Sequence, residues 1–215
     1  MRITQAVRIR GQRYRLSFED GPDAEIDRRT FDEAGYAVGS VLTQEEWEAL
    51  AALSEQNRLR ERALYLLAGR SYGKKELARK LARPARGSAA NAEAADATAQ
   101  RMEQLGLVDD AAYAALRARD MQRVKLYPRR RIAAELAAKG LDRELIRQTV
   151  QQLDAEDEEI ACLFLQKKYP DALRSDADRR RAAAALLRRG FAYEDIRRAL
   201  LRCAPDGEQP EETWL

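Results

Sequence analysis

One feature constrains this chain more than any other: a repeat. The stretch RRRIAAELAAKGLDRELIRQTV, Arg129 to Val150, returns without a gap fifty residues later as RRRAAAALLRRGFAYEDIRRAL, Arg179 to Leu200. Gly140 corresponds to Gly190, Leu136 to Leu186, Ile146 to Ile196 and Glu144 to Glu194. Each copy reads as a helix start crowded with arginine, a glycine stop and a second helix. A period in this range marks an array of supersecondary units that bury their apolar faces against one another.

The rest of the chain falls into place around that repeat. Its 215 residues are 45% hydrophobic and 35% charged, rich in the helix formers Ala, Leu, Arg and Glu. That predicts a mainly α protein: tandem three-helix repeats forming an elongated curved solenoid. Residues 1–53 differ and predict a small β-rich extension. Ile3, Val7 and Ile9 share a parity, Gly11-Gln12 makes a turn, and Tyr14, Leu16 and Phe18 alternate with polar residues. Asp20-Gly21-Pro22-Asp23 turns the chain again into a short strand from Ala24 to Asp27. Phe31, Tyr36, Val38 and Val41 are candidates to cover one face of this meander.

From Thr43 the period becomes helical. Thr43 with Glu46 forms a capping box, and a helical stretch continues to about Ala68 with a possible break near Ser54. Three helix triplets follow, over 54–107, 108–154 and 155–204. In the first, a short helix from Gly73 to Ala82 is stopped by Pro84, residues 86–90 form a loop, and a third helix turns Ala95, Thr98, Met102 and Leu105 inward. In the second, Asp109 caps a helix carrying Tyr113, Leu116 and Met121. Pro128 sits in the first turn of the next, and Asp142 caps the last. In the third, Ile160, Leu163 and Phe164 precede Pro170. Ser175 with Asp178 opens the middle helix, and Phe191, Ile196, Ala199 and Leu200 mark the final one. Residues 205–215 form an acidic tail.

The residue types argue against catalysis. Histidine is absent, which removes the commonest general base and metal ligand. The two cysteines, Cys162 and Cys203, lack CxxC spacing and read as buried reduced thiols. The glycines are scattered helix stops, not a phosphate loop. No enzyme activity, cofactor or metal is expected. The start MRITQAVRIRGQRYR has no apolar signal region, and no run approaches the roughly 20 apolar residues that span a bilayer. A soluble, cytoplasmic monomer without a membrane partner is the expectation.

Charge placement says more than net charge, which is only +3. Ten basic residues fall between Arg117 and Arg147 against four acids, while acids gather before Leu53, over Asp154–Glu159 and in the tail. Lys74 and Lys75, Arg129, Arg130 and Arg131, and Arg179, Arg180 and Arg181 occupy the first turns of the middle helices. Cations there oppose the helix macrodipole by roughly 0.3–1 kcal/mol each at exposed sites. Asp178 partly offsets the third cluster, but the second has no acid in its own first turn. A chain that tolerates this three times is read as presenting positive charge to an anionic surface. The candidate contact residues are these eight together with Arg79, Lys139, Arg143, Arg147, Arg188 and Arg189. Tyr113, Tyr127 and Tyr193 could stack on bases, although packing between repeats accounts for each more simply.

Four segments carry a family resemblance: RALYLLAGRSYGKKELARKL (Arg62–Leu81), QLGLVDDAAYAALRARD (Gln104–Asp120), YPRRRIAAELAAKGLDRELI (Tyr127–Ile146) and LLRRGFAYEDIRRAL (Leu186–Leu200). Together they resemble the RecX regulatory proteins, from about Leu59 to Cys203. The resemblance implies three tandem three-helix repeats that bind the RecA recombinase. Members lie in the groove of the RecA filament on single-stranded DNA and reduce its ATPase, strand-exchange and coprotease activities, which places them in DNA repair and the SOS response. Some also bind single- or double-stranded DNA directly. The resemblance supplies no catalytic residues. Two other readings stay open: a DNA-binding protein of tri-helical modules acting without RecA, and a helical adaptor for another partner.

Overall fold

The computed structural model describes residues 1–83, 91–170 and 174–203. The chain divides into two compact units, Met1–Val108 and Asp109–Leu215. The expected stop at Pro84, the loop over 86–90 and the acidic tail lie outside the described residues.

The first unit begins with three antiparallel strands in sequence order, β1 (Ile3–Ile9), β2 (Arg13–Phe18) and β3 (Ala24–Asp27). The expected parity of β1 does not hold. A register shift between Ile3 and Gln5 turns the strand over, so that Ile3 pairs with Phe18 and Ala6 with Leu16. Ile3 is buried, whereas Val7 is exposed. Helix α1 (Arg28–Glu33) is capped by Asp27 and adds Phe31 to the sheet's core. Val38 and Val41, expected to cover the sheet, are exposed, and Leu42 is buried in their place. A bridge between Arg2 and Val41 explains this, because it turns Leu42 inward as a strand alternates.

Helix α2 (Gln44–Gly69) starts with the capping box of Thr43 and Glu46. It runs through Ser54 without the expected break. Ser54 is instead a buried latch whose Oγ accepts from the Asp27 N–H at 2.7 Å. Asn57 donates to Thr30 Oγ1 at 2.9 Å beside it. The one helix serves two cores. Leu50 packs with the sheet, and Leu59 and Ala63 pack with helices α3 (Lys74–Leu81) and α4 (Ala92–Gln104). Leu77, Leu81, Ala95 and Met102 fill this second core, while Leu105 stays exposed because it lies beyond the last turn of α4.

The second unit holds two three-helix repeats, α5 (Asp110–Arg123), α6 (Arg129–Ala138) and α7 (Arg143–Gln151), then α8 (Asp157–Lys168), α9 (Asp176–Arg189) and α10 (Tyr193–Arg202). Asp109 and Asp142 cap α5 and α7 through paired N–H bonds of 2.8–3.3 Å. Pro128 is the N-cap of α6, one position before the first turn. The repeat is visible in the backbone. Gly140 and Gly190 both take a left-handed φ, 89° and 95°. Behind them Leu141 donates to Leu136 O and Phe191 to Leu186 O, the same six-residue closure at both stops. Leu116 and Leu163, expected inside, are exposed. The cores are built by Tyr113, Ala114, Ile132, Leu136 and Ile146 in one repeat and by Ile160, Phe164, Leu186, Phe191 and Ile196 in the other.

Candidate partner-binding surface

The two arginine triplets of the second unit obey one rule with one exception. The first arginine of each is drawn inward: the Arg129 side chain is 24% exposed and Arg179 13%. The second, Arg130 or Arg180, is exposed. The third differs, with Arg131 34% exposed and Arg181 77%.

The environment of Arg129 explains its position. Its guanidinium pairs with Glu156 and donates to Leu153 O at 3.0 Å. Its backbone N–H donates to Asp157 Oδ1 at 2.9 Å. The start of α6 therefore lacks an acid of its own but receives two from the start of α8. A carboxylate at a helix N-terminus satisfies a free N–H and the macrodipole together. The clusters on α3 and α9 are also answered within the molecule. Glu76 lies in the first turn of α3, and Lys74 pairs with Glu103 at 2.8 Å. Asp176 meets Arg179 at 3.2 Å, and Asp178 meets Arg181 at 3.5 Å. Dipole cost alone therefore gives no ground for an external anion, and any contact surface must be argued from cations left over.

Titration follows the same geometry. The hydrogen bond from Arg129 holds the Glu156 carboxyl below the usual carboxylate range. Burial pushes Asp157 up, and the Arg129 N–H opposes that shift. Asp195 is also pushed up, mainly by burial.

Around this pairing lies a cationic stack. The Tyr127 ring has the Arg131 guanidinium 4.1 Å and the Arg189 guanidinium 5.1 Å from its centroid. Arg189 also lies 4.6 Å from the Phe164 ring and donates to Lys125 O, and Arg131 reaches Arg188 O at 3.5 Å. Leu126, with φ of 53°, is buried in the core of the following repeat. Gln122 donates to Ala155 O at 2.9 Å. Arg129, Arg131, Arg189 and Tyr127 thus form a joint between α5–α7 and α8–α10. Tyr113 is likewise committed to packing, in the core of its own repeat, and Tyr193 is exposed.

The other candidates divide by partner. Arg147 is engaged on its own helix by Glu144, whose carboxyl the Arg147 hydrogen bond lowers to about 2. Arg79 and Lys139 have partners as well. Lys75, Arg130, Arg143, Arg180 and Arg188 are exposed, and their side chains make no ion pair or hydrogen bond among the described residues. Glu156, Asp157 and Leu126 are the residues that sequence reasoning missed. The acidic run Asp154–Glu159 was the available signal, lying just beyond the basic stretch it neutralises.

Known proteins match this architecture. A model of the second three-helix domain of RecX matches residues 109–150, and one of the third three-helix domain matches 156–200. The regulatory protein RecX of Stenotrophomonas maltophilia is 37% identical over 147 residues, covering 68% of this chain and 86% of the relative. The chain belongs to the RecX family. The RecX of Pelodictyon phaeoclathratiforme is 31% identical over 153 residues, 70% of this chain and 91% of that one. Among solved structures, a crystal structure of regulatory protein RecX superposes with a TM-score of 0.62 at 21% identity, covering 94% of this chain and 98% of that chain. RecX from Lactobacillus salivarius does so at 0.55 and 19%, covering 69% and 96%. These two likenesses are of fold. The RecX relatives are named regulatory proteins, in keeping with a role other than catalysis. No helix among the described residues is long and apolar enough to cross a membrane.

Proposed function

We propose that this RecX-family chain is a cytoplasmic negative regulator of RecA. It would bind the RecA filament on single-stranded DNA and restrain its ATPase, strand-exchange and coprotease activities during DNA repair and the SOS response. Family membership supports the partner. The observation that supports the site is the set of exposed cations with no ion pair among the described residues, with Arg130 and Arg180 at equivalent positions of successive repeats. We assign contact to Lys75, Arg130, Arg143, Arg180 and Arg188 first. Arg79, Lys139, Arg147 and Arg181 follow, since exchanging their internal partners would release them. Lys74, Arg129, Arg131, Arg179 and Arg189 act by holding the scaffold. The proposed partition is an extension over 1–53, repeats over 54–107, 108–154 and 155–204, and a tail over 205–215, acting as a monomer.

The test is RecA ATPase on single-stranded DNA titrated with the wild type and with Arg130→Glu/Arg143→Glu/Arg180→Glu/Arg188→Glu. The variant is expected to need at least about tenfold more protein for half-inhibition, because each lost charged contact is worth on the order of 0.5–1 kcal/mol. Its helical circular dichroism should match the wild type. Equal inhibition by both proteins would remove the site. The same free cations also favour a second reading, direct binding to DNA without RecA. That reading requires tight binding to bare DNA with a log–log salt slope of about −0.9 per phosphate on duplex. Binding that depends on RecA would exclude it.

A further inference from the structure

Two thiols meet at the end of the last repeat. Cys162 on α8 is buried, and Cys203, which closes α10, is half-buried. The Cys162 thiol lies 3.7 Å from Ala199 O, and the Cys203 backbone N–H donates to that same oxygen at 3.0 Å. The two cysteines thus converge on one carbonyl oxygen. Both line an open cleft of about 310 Å³ together with Glu159, Leu163, Gln166 and Arg202. Packing alone accounts for a single buried thiol. It does not account for two that meet at one carbonyl oxygen and line the same open cleft.

The pair is chemically unequal. Burial, followed by the interaction with Cys203, pushes the Cys162 thiol up to about 12, so it stays protonated at neutral pH. Cys203 is the less buried of the two and follows Arg202, whose guanidinium reaches Glu158 at 3.5 Å. Attack on a small oxidant therefore starts at Cys203.

We propose that Cys162 and Cys203 form an oxidation site at which hydrogen peroxide generates an intramolecular disulfide. In the first step the Cys203 sulfur attacks the peroxide. The O–O bond breaks, one oxygen stays on sulfur as sulfenic acid, and the other leaves as water with the thiol proton. In the second step the Cys162 sulfur displaces the hydroxyl. The S–S bond forms, the S–O bond breaks, and the departing hydroxide takes the Cys162 proton as water. Peroxide is the oxidant consumed, and a dithiol reductant reverses the change. The product ties the end of α10 to the middle of α8.

The experiment treats the full-length protein with hydrogen peroxide, quenches it and titrates thiols after denaturation. Both thiols should disappear together. Proteolysis and mass spectrometry should give one cross-linked peptide pair joining Cys162 and Cys203, and dithiothreitol should restore both thiols. Amide exchange at Leu200–Arg202 should slow in the oxidised wild type and not in Cys203→Ser. That variant should keep Cys162 reduced at the same peroxide dose. In Cys162→Ala, dimedone should trap the sulfenic acid on Cys203. Three results would each overturn the proposal: disulfide-linked dimers in place of the internal bond, over-oxidised Cys203 beside a titratable Cys162, or two unreacted thiols.

Discussion

Two helix starts with the same three arginines are held in different ways. At α9 the acids come from the same helix, because Asp176 and Asp178 lie inside it and face Arg179 and Arg181. At α6 they come from another helix, because Glu156 and Asp157 open α8. The difference begins three residues upstream. Where the third repeat has Asp176-Ala177-Asp178, the second has Leu126-Tyr127-Pro128. Those three residues leave the helix, and Leu126 enters the core of the next repeat. One triplet is thereby a connector between repeats, while the other is met by acids of its own helix. A conserved-looking motif within a chain can thus keep its charge and change its job.

The largest break in this contrast should come from Leu126→Ala. Emptying a buried leucine site costs about 2–4 kcal/mol, and urea unfolding should show it as a lower midpoint. Replacing the equivalent Asp176, an exposed helix residue, should cost under about 1 kcal/mol by the same measurement, since its own side chain is solvated and Arg179 keeps another partner. Next comes Arg129→Ala, which removes the bond to Leu153 O and the pairing with Glu156. About 1–2 kcal/mol is expected, because charge-assisted bonds outweigh neutral ones. Asp157 gives a sharper test. Asp157→Ala leaves the Arg129 N–H without its acceptor and should cost about 1 kcal/mol, whereas Asp157→Asn keeps an acceptor and should cost a few tenths. Smallest of all, Arg130→Ala and Arg180→Ala should each stay within about 0.5 kcal/mol of the wild type in stability. Under the proposed function, their effect should fall instead on RecA inhibition.

Acid titration sharpens the same contrast without mutation. Asp157 has a raised pKa, so the folded state takes up that proton before the unfolded chain does, and protonation there favours folding as pH falls. Glu156 has a lowered pKa, so its contribution is present above the unfolded carboxylate value and disappears as pH drops through the folded one. Carboxyl-carbon NMR should find the Asp157 midpoint above that of Glu156. The reverse order would mean that the Arg129 N–H outweighs burial at Asp157.

The helices were legible because their signals are local. Thr43, Asp109 and Asp142 sit one residue before the turns they cap, and Gly140 and Gly190 sit where a left-handed residue is required. Family resemblance, carried by motifs around those same residues, was legible for the same reason. Two features in particular were not. The register shift in β1 depends on how Ile3 meets Phe18 across a hairpin, and alternation along one strand carries no record of its neighbour. The pairing of Arg129 with Glu156 and Asp157 joins groups 27 and 28 positions apart on different helices. Sequence placed the basic and acidic runs side by side but gave no reason to fold one onto the other. Charge along the chain therefore does not distinguish a cation with an internal partner, such as Arg129, from one left exposed, such as Arg130.

The insertion of Leu126 into the next core bears on how the chain is made. A ribosome delivers α5, α6 and α7 first, with Leu126 already exposed and its destination not yet synthesised. The second repeat must wait, with an apolar residue open to solvent, until the residues through Leu200 have emerged. For the same reason a cut between Asp154 and Ala155 yields no clean spare part. The piece before it carries an orphaned leucine, and the piece after it carries the hole that leucine should fill.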